Sequence, residues 1–130
     1  KDIEIDISNL GNIIIDGMGA SSISGDIFKN LYSGTIPVYV NKNPQLPSIA
    51  GDSTLLISIS YSGNTYETIS TIEQAIKKEI ATLAITSGGK IEKICKKKNI
   101  PVCIVPSGIE PRSAAGYLAF MLLGIMGNSG

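Results

Sequence analysis

A chain of 130 residues with 11 Lys and Arg against 11 Asp and Glu carries no net charge and has a pI near 6.4. These numbers fit a single domain with a sizeable core. They exclude the basic stripe of a nucleic-acid binder and the acidic tail of a cation-seeking partner.

In chain order, "NIIIDG" (12–17) predicts a first buried strand, and "SSISGDIFKNLY" (21–32) a helix whose apolar spacing falls at Ile23, Ile27 and Leu31. "PVYV" (37–40) is a short second strand, and "NKNPQLPS" (41–48) a loop fixed by Pro44 and Pro47. "TLLISI" (54–59) predicts a third strand, followed by a helix over 66–79 with Ile69, Ile72 and Ile76 on one face. "ATLAIT" (81–86) is a fourth strand, "GGKIEKICKKK" a turn and a helix, and "PVCIVP" (101–106) a fifth strand. "RSAAGYLAFMLLGIM" (112–126) closes the pattern as a last helix, with Pro111 suited to its first turn.

Strands that are apolar throughout, alternating with helices, predict an α/β fold of three αβα layers: a parallel sheet covered on both faces. Right-handed crossovers leave few topologies, and the expected one is five strands in the flavodoxin-like order 2-1-3-4-5. The last helix is apolar around nearly its whole circumference, which predicts a partner, either a second domain or a second subunit. The apolar run at 114–126 is shorter than the roughly 20 residues a bilayer crossing needs, so no membrane contact is expected. Lys96, Lys97 and Lys98 read as the solvated end of a helix.

Histidine is absent, which removes the commonest general acid/base and the commonest metal ligand together. Cys95 and Cys103 lack the spacing of a metal pair and read as small core residues of a protein in a reducing cytoplasm. The chain begins with Lys rather than Met, and is expected to be a piece of something longer.

In the 2-1-3-4-5 order, strands one and three are neighbours whose connections leave in opposite directions, opening a crevice at their carboxyl ends. The loop after strand one is "GMGASSISG", and the loop after strand three is "SYSGNT". Each leads into a helix N-terminus, where unpaired N–H groups and roughly half a positive charge attract anions. Hydroxyls added to such a terminus make a phosphate nest without a lysine. Gly17, Gly19 and Gly63 would let backbone approach a ligand. The plainer alternative is N-capping by Ser62 or Thr65.

Other phosphate folds fit less well. Ser22 stands where a dinucleotide fingerprint needs its third glycine, no acidic residue ends strand two, and there is no Walker lysine. A flavodoxin would place its hydroxyl loop after strand one. A response-regulator receiver would end strand three on aspartate rather than Ser60.

"GMGASSISG" followed by "ISYSGNTYET" resembles the sugar isomerase (SIS) domain, a phosphosugar-binding module. The second motif carries Ser60, Ser62, Gly63, Thr65, Glu67 and Thr68 at the family's spacing. A third, "IEPRSAAGY" (109–117), is similar to that of the bifunctional phosphoglucose/phosphomannose isomerases. The resemblance covers residues 1–130 as one domain, the amino-terminal one of two.

It implies that Ser21, Ser60, Ser62 and Thr65 bind the sugar's phosphate, that Gly19 and Ala20 contact the sugar, and that Arg112 lies by an enediolate. The implied reaction interconverts glucose 6-phosphate or mannose 6-phosphate with fructose 6-phosphate through a cis-enediol, with no metal or cofactor. In the family, the proton-transfer glutamate and a lysine come from the carboxyl-terminal domain and a ring-opening histidine from the neighbouring subunit, so the implied partners are a second SIS domain, a second copy, or both. Glu110 is a candidate base, read more simply as a carboxylate at a helix N-terminus. Glu67 reads likewise as a dipole partner in the first turn of its helix. A different class, the non-catalytic phosphosugar sensor, is the alternative; no helix-turn-helix or basic segment supports it.

Overall fold

The computed structural model describes residues 9–129, with side chains for 9–110 and 113–126. The elements are β1 (Asn12–Asp16), α1 (Ala20–Leu31), β2 (Val38–Asn41), β3 (Thr54–Ser60), α2 (Tyr66–Lys77), β4 (Ala81–Thr86), α3 (Gly89–Lys97), β5 (Val102–Ile104) and α4 (Pro111–Ser129). The strands form one sheet in the order β2-β1-β3-β4-β5, parallel at every pairing. This is the expected architecture. β5 is shorter than the apolar run around it, which is flanked by Pro101 and Pro106, residues without an N–H to donate.

β3 is buried at every position, as a central parallel strand covered on both faces must be. Ile13 and Ile15 of β1 and Leu55, Ile57 and Ile59 of β3 pack with Phe28 of α1 and with Leu118, Leu122 and Met126 of α4. Ile14 and Leu56 face the other way, into Ala75 and Ile80. Ala84 of β4 joins that second face, against Ile72 of α2 and Ile91 and Cys95 of α3. Thus α1 and α4 cover one face of the sheet, and α2 and α3 the other.

The apolar stripe of α1 does not face the sheet. Ile23 and Leu31 are 52% and 61% exposed, and Ile27 is half-buried. The buried face is Ser21, Ser22, Ser24, Gly25 and Phe28. A Cβ at Gly25 would sit 3.0 Å from the Ile15 side chain. The helix therefore lies down on its small residues, and the larger apolar ones turn outward.

In α4, Ala114, Ala115, Leu118, Ala119, Leu122, Ile125 and Met126 are buried, while Tyr117 and Phe120 stand exposed, Phe120 at 78%. The apolar circumference thus divides into a core face and an outer face that still carries aromatic rings.

Helices α2 and α3 close alike. Glu79 (φ 56) and Asn99 (φ 59) take left-handed backbone, and the next N–H, of Ile80 or Ile100, returns to Ala75 O at 2.9 Å or Cys95 O at 2.8 Å. This C-terminal motif turns each helix directly into the following strand. Lys96, Lys97 and Lys98 are exposed, with Lys96 paired to Glu92 at 2.7 Å. Both cysteines are free thiols, Cys95 fully buried and Cys103 partly so; burial pushes the Cys95 thiol up to about 11. Among the described residues, no helix is long and apolar enough to cross a membrane.

Candidate functional site

The carboxyl ends of β1 and β3 are adjacent, with Asp16 paired in register to Ser58. Helix α1 packs on one face of the sheet and α2 on the other, so the topological switch point lies at this edge. The first loop crosses directly beside the end of β3. Gly17 N donates to Asn41 O at 3.1 Å, and a Cβ on Gly17 would meet Ile59 O at 3.2 Å. Gly19, the N-cap residue of α1, has φ 57 and no atom within 4 Å of where a Cβ would be. Behind it, Ser21 and Ser22 are buried, and the Ser22 hydroxyl donates to Gly19 O at 2.8 Å.

In the second loop, buried Ser60 places its Oγ 2.8 Å from Thr65 Oγ1 and accepts a hydrogen bond from Gly63 N at 3.1 Å. Exposed Ser62 accepts one from Asn64 N at 3.1 Å. Thr65 occupies the N-cap position of α2, yet its side chain makes no capping hydrogen bond. Simple N-capping therefore does not explain these hydroxyls: Ser60 and Ser62 hold the loop, and Thr65 points to Ser60. Gly19 also offers no capping side chain; in α1, Ser21 N and Ser22 N turn back to Met18 O and Gly19 O at 3.1 and 3.0 Å, which leaves Ala20 N and the first N–H groups of α2 to an external acceptor or to water. Helix N-termini without side-chain caps attract anions through their dipoles and free donors.

Gly63 serves a different purpose from close approach of a ligand. At φ 80, its missing Cβ would lie 1.8 Å from Gly88 O. The loop is fastened to the start of α3, where Ile91 N donates to Gly63 O at 2.9 Å and Lys90 N to Asn64 Oδ1 at 3.0 Å. Gly17 too is packed, against Ser21 and β3; of the three glycines, only Gly19 faces open space.

Tyr61 brings a third segment to the crevice. Its hydroxyl donates to Pro106 O at 2.7 Å and accepts from Ile109 N at 2.8 Å, tying the loop before α4 to the hydroxyl loop. Exposed Glu110 immediately precedes α4: its carbonyl accepts from Ala114 N at 2.8 Å, and Oε1 lies 3.4 Å from Ser113 Oγ. This is the helix N-terminal carboxylate of the simpler reading. Arg112 falls in the first turn of α4; its side chain lies outside the described residues. Glu67 is half-buried in the first turn of α2, as expected for a dipole partner. Ala20 opens α1 and is half-buried.

Sequence reasoning passed over two residues. Tyr61 was one of them, although an aromatic ring amid small hydroxyls was a signal. The other is Asp16, a carboxylate ending an apolar strand. It is 2% exposed, and Oδ1 accepts from Asn41 Nδ2 at 2.7 Å. Burial raises its carboxyl to about 7, against the hydrogen bond from Asn41 and the nearby Thr71 hydroxyl, which both lower it. Asn41 Nδ2 also reaches Asn43 O and Gln45 O, so Asp16 orders the turn after β2. Away from the crevice, Glu73, Ile76, Lys77, Ile94, Lys97 and Lys98 line a groove of about 450 Å³ between α2 and α3. No cluster of His, Cys, Asp and Glu that could hold a metal occurs among the described residues.

Residues 6–123 match the SIS domain family. The chain belongs to that family. A similar protein, the bifunctional phosphoglucose/phosphomannose isomerase of Thermoplasma volcanium, is 44% identical over 117 residues, 90% of this chain and 37% of its own length. The SIS domain thus spans little more than a third of that curated relative. Among solved structures, phosphoheptose isomerase GmhA of Neisseria gonorrhoeae resembles this SIS domain at a TM-score of 0.74 and 19% identity, covering 91% of this chain and 79% of its own. The Vibrio vulnificus NanR protein complexed with ManNAc-6P does so at 0.73 and 20%, covering 95% and 50%. At those identities the likeness is one of fold.

Proposed function

We propose that this SIS domain binds the phosphate of a phosphosugar in the crevice between residues 19–22 and 60–65, as one domain of an aldose–ketose isomerase. The observation that carries this reading is the pair of uncapped helix N-termini, flanked by Ser21, Ser60, Ser62 and Thr65. The name of the Thermoplasma relative supports glucose 6-phosphate, mannose 6-phosphate and fructose 6-phosphate as the substrate class. The chemistry moves a proton between C2 and C1 through a cis-enediol, and needs a base near neutrality and a cation at the developing enediolate. Arg112 is the proposed cation. Glu110, at the same helix end, is the weaker candidate for the base. Proton transfer of this kind requires neither metal nor cofactor, and the free thiols suit a reducing cytoplasm.

Crystals soaked in fructose 6-phosphate should place the phosphorus beside the Ser62 and Thr65 hydroxyls. Ser62→Ala should weaken binding by about 1.5–3 kcal/mol, the usual cost of one hydrogen bond to a charged group. Calorimetry giving unchanged affinity, or density at another site alone, would remove the assignment.

The outer aromatic rings of α4 support a second SIS domain or a second copy as the neighbour of this one. Exposed apolar patches of a few hundred Å² mark such contacts. Sedimentation of the 130-residue chain should reveal association that Phe120→Ser reduces, at little cost in monomer stability. A clean monomer at all concentrations would argue against it.

A further inference from the structure

The loop that leads into α4, residues 106–110, has little packing of its own. Pro106, Ser107 and Gly108 are exposed and Ile109 is half-buried. Gly108 takes left-handed backbone (φ 82), with no atom within 4 Å of where a Cβ would be. Among the described residues, two hydrogen bonds join 106–109 to another segment, and both end on the Tyr61 hydroxyl. It donates to Pro106 O at 2.7 Å and accepts from Ile109 N at 2.8 Å. Ser107 N and Gly108 N meet no acceptor among the described residues.

Tyr61 is itself held firmly. Its carbonyl accepts from the N–H of Ser87 at 3.0 Å and from the Ser87 hydroxyl, just after β4. Its ring packs against the core that contains Ile59 and Leu118. In the chain it stands between Ser60 and Ser62, and Ser60 Oγ binds Gly63 N and Thr65 Oγ1. The hydroxyl-rich loop is thus one connected piece, and Tyr61 is its arm to residues 106–109. Two residues beyond Ile109, α4 begins at Pro111, with Glu110 before it and Arg112 after it.

A tyrosine packed in a core needs one partner for its hydroxyl. This one satisfies a donor and an acceptor of a segment 45 to 48 positions away that is otherwise loosely held. Phenylalanine would fill the same space, so packing does not call for the hydroxyl. We propose that Tyr61 is a positioning residue: through its hydroxyl, a ligand held by the hydroxyl-rich loop fixes the start of α4, and with it the backbone that carries Glu110 and Arg112. The ligand part of this role rests on the function proposed above; the tether does not.

The coupling is a population shift. A ligand bound to residues 60–65 disfavours states in which that loop has moved, and so disfavours states in which the tether is open. A hydrogen bond of this kind changes the local opening equilibrium by about twofold to tenfold, and amide hydrogen exchange reads such openings residue by residue. Because coupling is reciprocal, cutting the tether can weaken ligand binding by no more than the factor by which the ligand protects the tether.

The experiment follows amide exchange by NMR in the 130-residue chain, wild type and Tyr61→Phe, with and without fructose 6-phosphate. In wild type, Ile109 N–H should be protected about threefold to tenfold more than Ser107 and Gly108. In Tyr61→Phe that difference should vanish, while Ile57 of β3 keeps its protection. Saturating sugar phosphate should slow Ile109 by about a further threefold in wild type and not in the variant, whose affinity should stay within about threefold. Exchange at Ile109 as fast as at its neighbours, or unaltered by Tyr61→Phe, overturns the tether. An equal ligand response in the two proteins, or none at Ile109 in either, overturns the coupling while leaving the phosphate site standing. No binding to wild type overturns the site, and the coupling with it, while the ligand-free comparison still tests the tether. Should the variant not fold, wild type decides alone: Ile109 must be more protected than Ser107 and Gly108, and more so with ligand.

Discussion

Gly63→Ala should lower the stability of this domain by about 2–5 kcal/mol and abolish its affinity for phosphosugar. Part of the cost is conformational, because a left-handed backbone is unfavourable by about 1–2 kcal/mol for a residue with a Cβ. The rest is steric. The new methyl would meet Gly88 O, a backbone atom 1.8 Å away, and overpacking against groups that cannot rotate aside costs about 1–3 kcal/mol or more. The loop would relax by separating from the start of α3, losing the hydrogen bonds from Ile91 N and Lys90 N. Ser60, Ser62 and Thr65 would then lose their common geometry. Urea unfolding should show a lower midpoint at unchanged slope. Gly19→Ala gives the contrast: its φ is also positive, but the space around it is open. There the conformational cost alone should appear in stability, with a larger effect on ligand affinity. Equal stability effects at the two positions would mean that contact with Gly88 is not what demands glycine at 63.

The 130-residue chain should bind phosphosugar yet isomerise glucose 6-phosphate and mannose 6-phosphate at little above background. Binding needs donors to the phosphate, and the crevice has them in two helix N-termini and the nearby hydroxyls. Turnover needs in addition a base, a group to open the sugar ring and a cation at the enediolate, and the chain contains no histidine. Loss of a general base alone typically costs a factor of about 10²–10⁴, and loss of the ring-opening group compounds it. A longer protein carrying a second domain should show both activities. In it, Arg112→Ala should lower kcat more than it raises KM, the signature of an interaction made mainly in the transition state. The measurement is a coupled assay on both proteins. Near-full activity from the 130-residue chain would refute the half-site reading and promote Glu110 to the leading base. Binding without turnover in the longer protein would favour the phosphosugar sensor.

Much of the crevice was legible because its ingredients are local. "SYSGNT" announces a hydroxyl-rich turn wherever it stands, and a strand pattern before it with a helical one after it fixes the end of the sheet on which it lies. Partnership was less legible. Ser60 reads as a phosphate donor and Thr65 as a phosphate donor or a cap, and nothing in their spacing says that their hydroxyls meet each other at 2.8 Å. Tyr61 reaches Pro106 across 45 positions, a distance at which no local rule operates. Asp16 ends an apolar strand, and that its carboxyl is almost wholly covered follows from α2 and the turn after β2 closing over it.

The sequence by itself determined the sheet and the location of the two hydroxyl-rich loops. Strands such as Thr54–Ser60 are apolar along most of their length, and only a parallel sheet covered on both faces gives such strands a place. Chain order and the handedness of crossovers then put the loops after β1 and β3 side by side. What only the tertiary structure decided is direction and contact. The spacing of Ile23, Ile27 and Leu31 marks a stripe on α1 but not whether it faces inward, and Gly25, where a Cβ would crowd Ile15 at 3.0 Å, won the sheet for the small-residue face. The same holds for Gly63, whose missing side chain is required by Gly88 rather than by a ligand. A residue's type sets which contacts it can make, whereas its neighbours in space, supplied by distant parts of the chain, set which of them it does make.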